Sequence, residues 1–362
     1  MKKSALTIAI SSLLLASGAH AATVYNQNDT KLEIGGRAQG MYYGTDDKGS
    51  EGDQSYFRVN MRGETKIAPE MKAFGFAEYN LPTSGSDNDE LRYAYAGIKH
   101  DRFGAFSYGR QDGLFRIVND YTDVLPEWGG DGLGKGTEVF GTGRTNGLAQ
   151  YLYTYNGLTL GAQFTGNNDP QNADRSNFNT NGTTWNKKGS KEGFAVAASY
   201  DFDMGLGLSA AYNQAGKTDE QAQFAAFGGD KDAKLMGFGA KYAVGDLYLA
   251  ATYAHGENHL YIGNGFNGYA EKHDGYEAVA QYTIGKFKPS LAYLRTDVKD
   301  TAHGIDDTYT EYVSIGAWYN FTDNFNAYVD YKVNLLDSVA DSTSKLGQNT
   351  DDVVGVALQY NF

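Results

Sequence analysis

The sequence predicts an all-β protein, a transmembrane antiparallel β-barrel of about sixteen strands. Three features indicate this fold: many short segments in which apolar and polar residues alternate, a separation of short turns from long loops, and a final segment with one wholly apolar face. Strands that cross a membrane as a closed barrel alternate in this way, with short turns at one end and long loops at the other.

The chain opens with a predicted signal peptide. Lys2 and Lys3 form a basic start, residues 5–16 are mostly apolar, and Ala19-His20-Ala21 has the small-x-small pattern of a cleavage site. We therefore assign residues 1–21 to a signal peptide and residues 22–362 to one outer-membrane barrel domain. After residue 21, no run approaches the roughly 18 to 20 consecutive apolar residues of a membrane helix.

The composition of residues 22–362 limits the classes of partner and of fold that the mature chain can have. Cleavage after residue 21 removes two of the 31 basic residues and none of the 44 acidic ones, which leaves 29 against 44, a formal charge of −15. This balance argues against nucleic acid as a partner. The chain has no cysteine, so disulfides cannot stabilise it. Its 28 Tyr, 19 Phe and 46 Gly, against 5 Pro, suit a barrel with aromatic girdles.

The first two strands are predicted at residues 31–45 and 53–67, where the residue types repeat with a period of two. One face of each segment is apolar and the other carries polar and charged side chains. The polar faces include Glu33, Arg37 and Gln39 in the first segment and Arg58, Asn60, Arg62 and Glu64 in the second.

Fourteen further strands follow the same pattern, and most of the connections at one end are turns of two or three residues, such as 156–157 and 245–246. The opposite connections are long and polar, notably 168–190, 215–231, 256–271 and 338–350. This segregation is expected of an outer-membrane barrel and not of a soluble sandwich. The predicted strands lie at about 70–82, 89–101, 103–111, 145–156, 158–167, 191–202, 205–215, 232–244, 246–256, 272–284, 286–299, 307–321, 324–337 and 351–362.

The final segment is the strongest local signal for a barrel. Val354, Val356, Leu358, Tyr360 and Phe362 share one face, which is wholly apolar or aromatic. A terminal aromatic residue on an alternating strand fits the assembly signal of outer-membrane barrels, so we expect Phe362 to direct assembly.

One long stretch between strands lacks the alternation. Residues 111–145, which we call the third loop, mix acids and glycines with a dense set of apolar residues and Pro126. Connections this long are usually functional or disordered, and this one is too apolar for a solvated linker. We therefore expect the third loop to fold into the barrel and set what passes through it.

With these residues in view, the chain resembles the general bacterial porins, the trimeric diffusion channels of Gram-negative outer membranes. The resemblance runs through essentially the whole mature chain, and its most specific motif is YTDVLPEWGGD within the third loop. The supporting motifs are VYNQNDTKLEIGGR, RGETKI, LRYAYAGIKH, FSYGRQDG, NLLDS and the terminal QYNF.

The resemblance implies an inward-folded third loop that makes a charged constriction at mid-height. Acids on the loop would face arginines on the wall, and the field between them would order water and small polar solutes. The expected acidic residues are Asp112, Asp123, Glu127, Asp131 and the wall residue Glu78. The expected basic residues are Arg37, Arg58, Arg62, Arg92, Arg116 and Arg144.

Two of these residues depart from the family pattern. Asp112 and Arg116 stand where relatives often carry tyrosine, and Glu90 stands where a basic residue is often found. The second external loop, residues 82–90, is also short. In relatives a longer version latches over the neighbouring subunit, so the latch is in question for this chain.

The function implied is a water-filled channel for ions and small hydrophilic solutes in the Gram-negative outer membrane. The two charge sets nearly cancel, so we expect the acidic mature chain to make the channel weakly cation-selective. The expected partners are two further copies in a homotrimer, outer-membrane lipid and lipopolysaccharide, and the barrel-assembly machinery. No cofactor, metal or enzymatic activity is expected.

Alternative interpretations remain open at this stage. The arginines could be ordinary solvated charges of a polar lumen, and the acids could belong to a solvated loop. The channel could instead select anions, for which Arg116 and Lys135 are modest hints, or one substrate class. The long external loops could also serve a surface receptor or adhesin. His255 and His259 have helical metal spacing but no accompanying HExxH pattern.

Overall fold

The computed structural model describes residues 21–47, 49–83, 90–133, 140–167, 179–180, 183–184, 189–224, 231–262, 268–339 and 343–362. Residues 1–20 of the predicted signal peptide and residues 84–89 of the predicted second external loop lie outside this part. No helix within the described ranges is long and apolar enough to cross a membrane.

Strands dominate the described part of the chain. The first half contains β1 (Ala22–Gln27), β2 (Thr30–Gly44), β3 (Gly52–Asp53), β4 (Tyr56–Ala68), β5 (Met71–Pro82), β6 (Glu90–His100), β7 (Gly104–Asp112), helix α1 (Arg116–Asn119), β8 (Arg144–Tyr155), β9 (Leu158–Thr165), β10 (Asn179–Thr180) and β11 (Thr183–Thr184). The second half contains β12 (Gly193–Asp201), β13 (Leu206–Ala215), α2 (Asp219–Phe224), β14 (Ala233–Val244), β15 (Leu247–Glu257), β16 (Tyr261–Ile262), β17 (Gly268–Tyr269), β18 (Lys272–Tyr282), β19 (Phe287–Asp300), β20 (Ile305–Asn320), β21 (Phe325–Asn334) and β22 (Val353–Asn361).

Sixteen of these strands form a closed antiparallel ring, as predicted. The order is β2, β4, β5, β6, β7, β8, β9, β12, β13, β14, β15, β18, β19, β20, β21 and β22, and β22 pairs back onto β2. All sixteen predicted strands are present within a few residues of their expected bounds. The sequence pattern missed β1, which pairs with the start of β2 while β22 pairs with its end. Closure removes the two open edges that a flat sixteen-stranded sheet would present to another chain.

Alternate side chains point to opposite faces of the ring, which confirms the predicted faces of β2, β4 and β22. Met61 and Leu358 are 51% and 55% exposed on the outer face, whereas Gln39 and Gln359 are 5% and 4% exposed on the inner face. An apolar outer face with a polar interior is the arrangement of a membrane barrel around an aqueous lumen.

Tight turns connect the strands at one end. Between β8 and β9, Asn156 and Gly157 both have positive φ, at 46° and 80°. Asn and Gly are the residues that tolerate this conformation in a two-residue hairpin, so this turn was readable from the sequence. The longer connections lie at the other end, and the third loop leaves from there, between β7 and β8.

Candidate functional site

The third loop packs its apolar residues against the inner wall of the barrel. Its main buried side chains, Leu114, Phe115, Ile117 and Val118, form one cluster with small and branched residues of the wall. The wall partners are Leu152, Ala195, Ala197, Ala211, Leu235 and Ala254.

Two glycines on the wall provide the space for this cluster. A Cβ atom added to Gly161 would lie 2.9 Å from Leu114, and one added to Gly237 would lie 2.6 Å from the ring of Phe115. Contacts that short do not occur between real side chains, so Leu114 and Phe115 would have to shift if either glycine carried a Cβ atom. The small inward residues of β9 and β14 are thus matched to the apolar start of the third loop.

Glu277 on β18 holds the middle of the third loop. This buried carboxylate accepts the backbone N–H of Gly132 at 2.7 Å and the hydroxyl of Thr122. Three uncharged side chains of the wall also bond to the loop backbone: Tyr248 to the carbonyl of Tyr121, Gln281 to that of Val124, and Thr296 to that of Gly132.

Asp330 on β21 holds Glu127 and Trp128, the part of the loop that reaches farthest around the ring from β7 and that we call its far end. Its Oδ2 accepts the backbone N–H of Glu127 at 3.0 Å and that of Trp128 at 3.2 Å, and its Oδ1 accepts the hydroxyl of Ser314 at 2.6 Å. Glu277 and Asp330 are functional residues that the sequence reading missed. Their signal was available: both are acids at inward positions of strands.

Arg116 lies among the acids of the loop itself. Its guanidinium reaches Asp123 at 2.7 Å and Asp112 at 4.0 Å, and it also pairs with Asp120. Burial alone would lower the pKa of Arg116, but these three carboxylates raise it well above the ordinary value. Of the eleven predicted constriction residues, Asp112, Asp123 and Arg116 are therefore brought together on one side of the lumen.

Glu127 and Asp131 lie further along the loop. Glu127 is beside β21 and β2, and Asp131 is beside β20. Glu127 accepts the hydroxyl of Tyr328 at 2.5 Å and that of Tyr43 on β2. Asp131 is exposed and accepts the hydroxyl of Tyr312 at 3.1 Å. Burial raises the pKa of Glu127, and the two tyrosine hydroxyls offset only part of this effect.

Arginines on the wall between β2 and β6 form a second group. Arg37 and Arg58 are cross-strand partners, and Arg58 lies over the ring of Tyr56. Glu78 on β5 lies between two arginines, with Nε of Arg92 at 2.9 Å and Nε of Arg58 at 3.7 Å from one oxygen. The two guanidinium groups would repel each other, and the carboxylate that they share holds them in place.

The path of β6 differs from the strict alternation that the sequence indicated. Alternation places Arg92 on one face and Tyr93 and Tyr95 on the other, yet Tyr93 is the cross-strand partner of the inward Glu78 and its hydroxyl reaches Asp112 at 2.8 Å. The register shifts between Tyr93 and Leu91, so Arg92 is the extra residue of a β-bulge. The bulge lets Arg92 and Tyr93 both reach inward groups.

The remaining two predicted basic residues lie near the same wall. The guanidinium of Arg62 is 5.5 Å from the ring centre of Phe76. Arg144 is the cross-strand partner of Asp112, and its NH1 lies 3.9 Å from Glu90. Arg144 is therefore close to Asp112 of the predicted acidic set.

Phe362 closes the ring next to this wall. Its backbone exchanges two hydrogen bonds with Gly36 on β2, at 2.9 and 3.1 Å, and its ring stacks on Phe57 at 5.6 Å between centres. Within the described ranges, no group of three or more potential metal ligands is found.

Comparison with known proteins gives this arrangement a family. Residues 27–362 match the Gram-negative porin family. The chain is 38% identical to the outer membrane porin protein OmpD of Citrobacter koseri and 35% identical to outer membrane porin N of Escherichia coli strain K12, with both chains covered completely in each case. A solved structure of Salmonella typhi OmpF in complex with daunomycin superposes with a TM-score of 0.82 at 31% identity, covering 94% of this chain and 100% of that one.

These matches agree with the closed barrel, its apolar outer face and its polar interior. They place the protein in the Gram-negative outer membrane as a channel through which small solutes diffuse. The chain belongs to the Gram-negative porin family.

Proposed function

We propose that the chain forms a homotrimeric general diffusion channel whose narrowest section lies between the third loop and the arginine wall of β2 to β6. Solutes would pass down their concentration gradients, since nothing in a fixed barrel couples passage to an energy source. The predicted constriction residues act in two sets, with Asp123, Glu127 and Asp131 on the loop and Arg37, Arg58 and Arg92 on the wall. The trimer rests on the family resemblance.

The observation that carries this proposal is the path of the loop along the inner wall. Its start packs beside β9, β13 and β14, its middle is bonded to Glu277 on β18, and its far end is bonded to Asp330 on β21. The loop thus lines the lumen from β9 to β21 and meets β2 at Tyr43, which leaves the arginine-bearing part of the wall from β2 to β6 uncovered. A barrel of 16 strands would otherwise enclose an open aqueous channel.

Weak cation selectivity follows from the charges that remain after pairing. Arg116 offsets part of the charge of Asp112, Asp120 and Asp123, while Glu78 offsets part of the charge of Arg58 and Arg92. Both sides of the section are therefore reduced in charge, and the excess of acids in the mature chain decides the sign. Salt screens the exposed charges at the channel mouth over a Debye length of about 10 Å at 0.1 M and about 3 Å at 1 M. Cation selectivity should fade as the salt concentration rises.

Replacing loop acids by their amides tests the proposal. We expect the double variant Asp123→Asn with Glu127→Gln to shift the zero-current potential in a KCl gradient toward anions. The matched control is Asp246→Asn with Asp323→Asn, which removes the same charge from two short turns. An unchanged potential in the loop variant, or an equal shift in the control, would refute the assignment of the loop to the narrow section.

A further inference from the structure

Lys332 is a lumen residue of β21 that belongs to neither predicted charge set. It shares the inward face of its strand with Tyr328 and Asp330. Its Nζ lies 4.4 Å from the ring centre of Tyr312 and 5.6 Å from that of Trp128, the loop residue held by Asp330. Both distances are within the range of a cation–π contact. The two rings therefore fix an ammonium group beside the far end of the third loop.

The ammonium of Lys332 lacks the paired carboxylate that Arg58, Arg92 and Arg116 have. Arg92 and Arg58 share Glu78, and Arg116 contacts aspartates. For Lys332, the described ranges of the chain contain no ion pair and no hydrogen-bond acceptor; its neighbours are the two rings and the more distant charge of Asp131. An ammonium has three N–H donors and ring faces replace few of its hydrogen bonds with water. Lys332 thus keeps donors for a passing solute.

The acidic neighbour whose charge acts on Lys332, Asp131, is already engaged. The carboxylate of Asp131 accepts the hydroxyl of Tyr312 at 3.1 Å, so the same tyrosine contacts Asp131 through its hydroxyl and Lys332 through its ring face. Asp131 is exposed, and its charge attracts the ammonium of Lys332 although the two groups form no ion pair within 4.0 Å. An anion bound at Lys332 would feel its repulsion, which favours brief rather than tight binding.

We propose that Lys332 is a selectivity residue, a transient docking point for small oxyanions such as carboxylates and phosphates on the loop side of the lumen. The inference rests on the proposed function, because it requires that the end of the third loop lines the narrow section. Lys332 would admit anions along a side of the channel that is otherwise acidic. It therefore limits the cation selectivity of the channel.

The test compares three lysine variants in planar bilayers, each checked first for folded protein. The variants are Lys332→Met, Lys332→Arg and the control Lys288→Met, which removes an inward lysine of β19 beside Trp318 and away from the loop contacts. Zero-current potentials are measured in gradients of KCl and of potassium phosphate. A unit charge about 8 Å from an ion in water changes the local ion concentration by about twofold. Because the charge acts with opposite sign on anions and cations, we expect Lys332→Met to lower the anion-to-cation permeability ratio by about fourfold, with the larger effect in phosphate.

The control variants show whether a negative result refutes the role of Lys332 alone or the proposed function as well. Lys332→Arg should keep the wild-type ratio, and Lys288→Met should change it less than Lys332→Met. A ratio in Lys332→Met equal to that of the wild type or of Lys288→Met overturns the role of Lys332. If the Asp123 and Glu127 double variant still shifts the potential in that case, only this inference fails. If neither variant shifts the potential, the constriction proposal fails with it.

Discussion

The carboxylate of Asp330 accepts the backbone N–H of Glu127 at 3.0 Å, so a wall residue fixes the backbone that presents a loop acid to the lumen. The next N–H, that of Trp128, reaches the same oxygen at 3.2 Å. Hydrogen bonds to a charged acceptor contribute about 1.5 to 3 kcal/mol each, roughly twice the value of neutral ones. One side chain far away in the sequence therefore contributes strongly to the position of the loop end.

Removing this anchor should free the loop end without unfolding the barrel. We expect Asp330→Ala to give a larger and noisier single-channel current, because two backbone N–H groups lose their acceptor. Asp330→Asn keeps one oxygen acceptor and should lie between Asp330→Ala and the wild type. A steady wild-type conductance in Asp330→Ala would show that the apolar cluster around Leu114 and the other wall hydrogen bonds, such as those to Glu277, hold the loop without Asp330.

Truncating the arginine wall should widen the channel. We expect Arg58→Ala or Arg92→Ala to raise the conductance and to favour cations, since each removes a positive side chain and leaves Glu78 with one partner. Uptake of neutral sugars of graded size into liposomes measures the width separately from the charge. Arg102→Ala is the control because Arg102 is largely exposed, beside Glu70. A wall variant that behaves like this control contradicts the assigned role.

Acidification should weaken cation selectivity at a higher pH than the titration of an ordinary glutamate would. Burial raises the pKa of Glu127, so as the pH falls this group becomes neutral above the ordinary glutamate value of about 4.3. A raised carboxyl pKa also means that the charged form is disfavoured in the fold, so this group's penalty on stability is relieved as the pH falls through its folded pKa.

The zero-current potential should be recorded across this pH range for the wild type and for Glu127→Gln. The variant has no carboxyl to protonate at this position. Its selectivity should therefore not fall in the pH range above the ordinary glutamate pKa. A step of equal size in both proteins would assign the titration to another group.

Deleting Phe362 should impair assembly of the barrel. The residue provides two backbone hydrogen bonds to Gly36 and a ring contact with Phe57, and both lie where the last strand meets the first. We expect less folded protein in the outer membrane and more periplasmic aggregate, because an unclosed ring exposes strand edges. Phe362→Tyr, which keeps the ring and the backbone, should assemble normally. Normal assembly of the deletion would contradict this prediction.

The trimer is tested by electrophoresis in detergent. An unheated sample should migrate far above the monomer and a heated one at monomer mass, since closed hydrogen-bonded sheets resist detergent until heated. If both samples run at monomer mass, the homotrimer proposal is wrong for this chain.

The sequence by itself determined the barrel, because side chains on a strand repeat every two residues and an apolar outer face must therefore be visible as alternation. Positions such as Gln39, Met61 and Leu358 could be assigned to a face from parity alone. The turn at Asn156 and Gly157 was equally readable, because few residues adopt positive φ there. The third loop was recognisable as the one stretch too apolar to be a solvated connection.

Tertiary structure alone decided how the loop and the wall meet. The bulge at Arg92 depends on the register between β5 and β6, which no local pattern in the sequence specifies. Glu277 and Asp330 anchor loop residues that are far away in the chain. Arg116 and its aspartates lie close together in sequence, but on a segment without a repeating pattern. The sequence likewise indicates only that Lys332 points inward. Its contacts with Tyr312 and Trp128 follow from the tertiary structure. Alternation determines which face a residue occupies, whereas only strand register and loop path determine which residues it contacts.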